Sequence, residues 1–130
     1  MKLLLTRAIR EKLEQNAQQV LAGGIARDDL QPVVKFINTN GAGTWLFTEL
    51  HDGDRLFGLC DDGKGVPELG YRSLREIEQL RAVIWGRRTN FQAIERETPW
   101  SASGHSLSEF TEAARSKGEI VDRLPCREVA

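Results

Sequence analysis

Two apolar runs joined by a short polar turn constrain this chain more than any other feature. Trp45 to Leu50 and Leu56 to Cys60 are dense in aromatic and aliphatic residues, the composition of buried strands. In an extended chain, Trp45, Phe47 and Glu49 share one face, with Leu46, Thr48 and Leu50 on the other. In the second run, Phe57 and Leu59 lie opposite Leu56 and Cys60. The intervening His51-Asp52-Gly53-Asp54-Arg55 has the length and turn residues of a hairpin loop. An antiparallel pair with apolar side chains on both faces needs a cover on each.

The covers are predicted from helical spacing. Thr6 precedes Arg7 to Ala22, in which Ile9, Leu13, Ala17, Val20 and Leu21 recur at helical intervals before Gly23-Gly24. Ser73 and Glu76 have capping-box spacing, and Leu74, Ile77, Leu80 and Ile84 predict a helix from Leu74 to Ile84 that Gly86 stops. Ser106 and Glu109 repeat that spacing before a short third helix with Arg115 and Lys117 in its last turn and Gly118 after it.

Pro32 opens a further strand, Val33 to Ile37, followed by turn residues Asn38 to Gly43, which makes a three-strand meander. Phe91 to Glu95 suits a fourth strand. Asp61 to Tyr71, rich in Gly and with Pro67, is expected to be an ordered loop without regular structure. Trp45 and Trp85 are expected in the core. The expected fold is one α+β domain over residues 1–120. An antiparallel sheet of three to four strands is covered by two to three helices, with a loosely ordered tail at 121–130.

At 130 residues the chain has room for one core and no second domain. Lys and Arg number 18 against 19 Asp and Glu, a formal net charge of -1 that does not steer toward a polyanion. The start, with Leu3, Leu4 and Leu5 before a charge, falls short of the roughly 7–15 apolar residues of a secretory core. No run reaches the roughly 18 apolar residues of a bilayer span. A soluble, cytoplasmic protein is expected, with no membrane contact and with Cys60 and Cys126 as unpaired thiols.

Charge is uneven along the chain. From Glu49 to Glu68, six acids face Arg55 and Lys64, a local net of -4; from Arg72 to Arg88, five arginines face Glu76 and Glu78, a local net of +3. Mutual pairing of the two stretches is the simplest expectation. Arg81 lies beside the Ile77 and Ile84 stripe, which leaves Arg72, Arg75, Arg87 and Arg88 as the arginines best placed to meet a partner. Tyr71 and Trp100 are candidate aromatic anchors.

Two function classes follow. The first is a binding module, for which the near-neutral charge favours a protein partner over nucleic acid. The alternative is a metal-assisted hydrolase or nuclease in which Glu49, Asp61 and Glu68 converge on a hard cation.

No catalytic motif and no cofactor motif is present. Gly41-x-Gly43 lacks the spacing of a phosphate loop, and the residues after Asp61 do not fit a calcium loop. His51 and His105 have no second ligand at zinc spacing and are expected in loops. Ser101, Ser103 and Ser106 near His105 lie in no nucleophile elbow.

Four segments carry a resemblance: V-V-K-F at Val33 to Phe36, W-L-F-T-E-L at Trp45 to Leu50, F-G-L-C-D at Phe57 to Asp61, and G-x-P-E-L-G-Y at Gly65 to Tyr71. With the S-L-x-E-I and L-S-E-F helix starts, they resemble a family of short bacterial proteins, domain of unknown function 2958. The resemblance runs from the first helix to about Ile120. It implies an accessory role on plasmids and other mobile elements and brings no established catalytic residues.

Overall fold

The computed structural model describes residues 3–121 and 124. The predicted meander forms the middle of a five-stranded antiparallel sheet. In chain order the strands are β1 (Val34–Asn38), β2 (Thr44–His51), β3 (Arg55–Asp61), β4 (Glu68–Ser73), β5 (Arg81–Ile84), β6 (Arg87–Gln92) and β7 (Ile94–Arg96). The sheet order is β4-β3-β2-β1-β7, while β5 and β6 pair only with each other. The helices are α1 (Arg7–Leu21), α2 (Leu74–Gln79) and α3 (Leu107–Lys117), with one 3-10 turn at Arg27–Asp29. The fold is α+β, with more strands than the sequence predicts.

Both sheet faces are covered, as the two-sided strands require. On one face α1 and α2 bury Leu13 and Ile77 against Phe36, Trp45, Phe47, Leu56 and Cys60. Phe36 meets Phe47 edge to face at 5.5 Å, the geometry that ring quadrupoles favour. On the other, α3 packs Leu107 and Phe110 against Leu46, Phe57 and Leu59. Burial pushes the Cys60 thiol up to about 12, so this cysteine behaves as a small core hydrophobe.

A β-bulge changes which residues share a face. Phe47 pairs with Gly58 and Glu49 with Phe57, so Thr48 is an extra residue in β2. Strict alternation would put Glu49 beside Trp45 and Phe47. The bulge instead turns Leu50 into the α1-side core and places Glu49 opposite Phe57 on the α3 side. Asn16 of α1 donates from Nδ2 to the Thr48 carbonyl at 2.9 Å, giving the bulge a buried acceptor's partner. Gly58 is needed opposite it, because a Cβ there would run into the Leu46 carbonyl and Phe47 Cα.

The helix caps are those read from the sequence. Thr6 Oγ1 accepts from Ile9 N and Ser73 Oγ from Glu76 N. Ser106 and Glu109 complete a capping box, and Gly118 ends α3 in the left-handed region.

Five further expectations need correction. The Leu74 to Ile84 helix stops at Gln79, and Arg81–Ile84 is β5. Leu74 and Ile77 are buried, but Leu80 and Ile84 are exposed, so the helical stripe loses its core after two turns and β-branched Val83 and Ile84 turn to strand pairing. The loop at Asp61 to Tyr71 ends early, because Glu68 to Tyr71 already pair with β3 as β4. Phe91 to Glu95 is split at Ala93, whose N–H donates to Leu80 O and divides β6 from β7.

The fourth correction is Trp85, which lies 96% exposed rather than in the core. His51, expected in a loop, closes β2 and is buried. Of the 121–130 tail, only Val121 and Leu124 are described, both against the α3-side core; Cys126 lies outside the described residues.

Candidate functional site

Five of the six acids in the acidic stretch are hydrogen-bonded within the fold, and Glu68 is exposed. Asp52 pairs with Arg55 at 2.9 Å. Asp54 accepts from Ser73 Oγ at 2.7 Å and from Arg75 N at 2.9 Å, so the β2–β3 turn caps the start of α2. The Ser73 hydroxyl and the Arg75 amide hold the Asp54 carboxyl below its usual range. Asp61 Oδ1 accepts from the amides of Gly63 and Gly65. Asp62 accepts from Arg72 at 2.6 Å and from the Trp45 indole at 2.9 Å; the Arg72 contact dominates in depressing its carboxyl.

Glu49, Asp61 and Glu68 do not converge. Glu49 lies opposite Phe57, and Asp61 is four residues farther along β3, about 13 Å at roughly 3.3 Å per residue. Glu68 lies opposite Cys60, beside Asp61. Among the described residues, no group of three His, Cys, Asp or Glu side chains could hold a metal ion.

The bulge delivers Glu49 to a different cluster, one that spacing alone does not show. Its carboxylate is 0% exposed and accepts from Arg27 Nε at 2.8 Å, Arg27 Nη2 at 3.1 Å and His51 Nε2 at 2.8 Å. Arg27 also donates to the Tyr71 hydroxyl at 2.9 Å and stacks 3.9 Å over the Phe57 ring. Burial opposes the charge on Arg27, but its hydrogen bonds to Glu49 and Tyr71 outweigh that and raise its pKa. Phe57, His51 and Arg55 surround the Tyr71 ring. This network ties the 3-10 turn to β2, β3 and β4.

The six residues expected to form a partner surface are therefore divided. Tyr71 is engaged as described. Trp100 is half-buried, 6.0 Å from the Phe110 ring, on the α3 side. Arg72 is held by Asp62, and the Arg75 side chain is exposed near Asp54. Arg87 and Arg88 stand apart on β6, exposed and without an ion pair to any described residue. Mutual pairing of the charged stretches thus accounts for Arg72 and leaves Arg87 and Arg88 over.

Those two arginines belong to the hairpin formed by β5 and β6. Ile84 pairs with Arg87 and Val83 with Arg88, which leaves Trp85-Gly86 as a two-residue turn. Its φ values are 55° and 73°, the positive pair that a type I′ turn demands and that Asn-Gly normally supplies. A tryptophan in the left-handed region costs about 1–2 kcal/mol relative to residues that accept it. Exposed Val83 and Ile84 lead into it, and exposed Phe91 stands at the base of the hairpin, next to the Gln92 that pairs with Arg81.

The base of the hairpin is fixed to the body. Ala82 and Ala93 are buried in the α1-side core. Thr89 Oγ1 donates to Ala82 O at 2.7 Å, and Asn40, from the β1–β2 turn, bonds both backbone groups of Val83. Sequence reading assigned Trp85 to a helix end and missed this element; the signal was a β-branched pair, then x-Gly, then Thr89, which is hairpin spacing.

Among the described residues, no helix is long and apolar enough to cross a membrane. No curated protein and no solved structure matches the chain. Residues 4–121 match the family model described as protein of unknown function (DUF2958), and the chain belongs to that family.

Proposed function

We propose that this protein is a small protein-binding accessory module whose docking element is the β5–β6 hairpin. The observation that carries the reading is Trp85, fully exposed at a turn position where its backbone is strained. Neither stability nor solubility explains a tryptophan there, whereas a rigid aromatic anchor next to arginine is the composition of binding hot spots. Val83 and Ile84 add apolar area beside it, and Phe91 more at the base of the hairpin, more than a phosphate backbone would use. An accessory role on a mobile element, in the cytoplasm, is part of the same proposal and rests on the family resemblance.

The test is a pull-down from host extract with the full chain and with Trp85→Ser, each with and without nuclease. Capture that survives nuclease and disappears with Trp85→Ser supports the reading. Capture that is lost to nuclease, or is indifferent to Trp85, contradicts it.

A further inference from the structure

From the charge and shape of the hairpin we infer the chemistry of its partner: a protein cleft with an apolar floor for Trp85 and carboxylates on both walls. This inference rests on the reading of the hairpin as a protein-docking element.

The first support is the alternation of side chains. Across the two strands Val83 stands opposite Arg88 and Ile84 opposite Arg87, so each face of the ribbon carries one aliphatic residue and one arginine. All four are exposed. A hairpin docking on a flat surface would need only one such face. Ala82 is buried and Val83 is tethered to Asn40, so Ile84 and Trp85 project about 7 Å beyond the body at roughly 3.3 Å per residue. A two-sided finger of that reach matches a cleft.

The second support is the charge left over. From Ala82 to Ile94 the chain has Arg87 and Arg88 and no acid. The acids Asp54, Asp61 and Asp62 are engaged elsewhere, and Glu78, which flanks the hairpin in sequence, accepts from Leu4 N at 3.1 Å. Neither Arg87 nor Arg88 has an ion-pair partner among the described residues, and an arginine on each face calls for a carboxylate on each wall.

Polyanions fit less well. Two arginines neutralise about two phosphates, too few to hold nucleic acid at physiological salt, and Val83, Ile84 and Phe91 gain nothing there. An anionic bilayer would match the apolar tip but would meet one face of the ribbon no differently from the other.

A photo-crosslinking amino acid in place of Asn90, exposed on β6 with Trp85 left intact, introduced into the full chain in host cells, tests this, with the same group at Lys64 as the background. The expected adduct is a protein segment with Asp or Glu within a few positions of the attachment point. Its yield falls about tenfold with Arg87→Glu and Arg88→Glu together and is kept by Arg87→Lys and Arg88→Lys. An adduct segment without carboxylates, or a yield indifferent to charge reversal, overturns the acidic cleft while leaving the docking reading intact. No protein adduct above the Lys64 background overturns both. Vesicles of anionic phospholipid and a short DNA duplex are tested separately; Trp85-dependent binding to either overturns the protein cleft.

Discussion

Asn40 acts on Val83 as a neighbouring strand would. Its Oδ1 accepts from Val83 N at 2.8 Å and its Nδ2 donates to Val83 O at 3.0 Å. The β1–β2 turn thereby fixes the angle at which the hairpin leaves the body, and it covers the outer edge of β5 at the point where it would otherwise offer a pairing site.

Asn40→Ala should free the hairpin without unfolding the sheet. Two exposed hydrogen bonds contribute about 1 kcal/mol together after exchange with water. Amide exchange at Val83 should speed up several-fold while β2 and β3 stay protected. Unchanged protection at Val83 would show that the hairpin is held by other contacts.

Glu49 is the charged group on which the fold most depends. Glu49→Ala strands Arg27 and His51 beside a buried apolar layer, and breaking a buried pair from one side costs about 3 kcal/mol. The outward side of Arg27, 29% exposed, keeps the loss at the lower end of that class. Chemical denaturation should show it as a lower midpoint with an unchanged slope; a loss under about 1 kcal/mol would mean that Arg27 simply turns to water.

Stability should decline in acid. Asp54 and Asp62 both titrate below the ordinary carboxylate value of 3.8, Asp54 through the Ser73 hydroxyl and Asp62 through Arg72. Folded values below the unfolded one mean that the contribution is complete above about pH 4 and is lost as pH falls through the folded values. Melting temperatures between pH 2 and 6 should fall on acidification, and Asp54→Asn with Asp62→Asn should flatten that fall. Parallel curves for parent and variant would contradict this assignment.

The central strands, their two-sided burial and the three helix caps were legible because each depends on local spacing or on a short box of residues. The face occupied by Glu49 was not. One inserted residue at Thr48 reverses the alternation, and the reason for the insertion is a contact with Asn16 and a glycine at position 58, both distant in sequence. Arg27 was hidden for the same reason, as one polar residue in a connector. The exchange of helix for strand after Gln79 has another origin: Leu74, Ile77, Leu80 and Ile84 satisfy a helical stripe on paper, and only the position of the core shows that the last two have nothing to bury against. Arg87 and Arg88 could be picked out by charge, whereas Trp85, the exposed aromatic residue at the turn between β5 and β6, could not.

Trp85→Asn measures the central claim most directly, because stability and binding should move in opposite directions. Asparagine suits the first position of this turn and Trp85 buries almost nothing, so the variant should be more stable by about 1 kcal/mol while nuclease-resistant capture of the partner is lost. A variant that is destabilised by a comparable amount, or that still captures the partner, would show that Trp85 serves the fold or nothing at all, and the hairpin would not be the docking element.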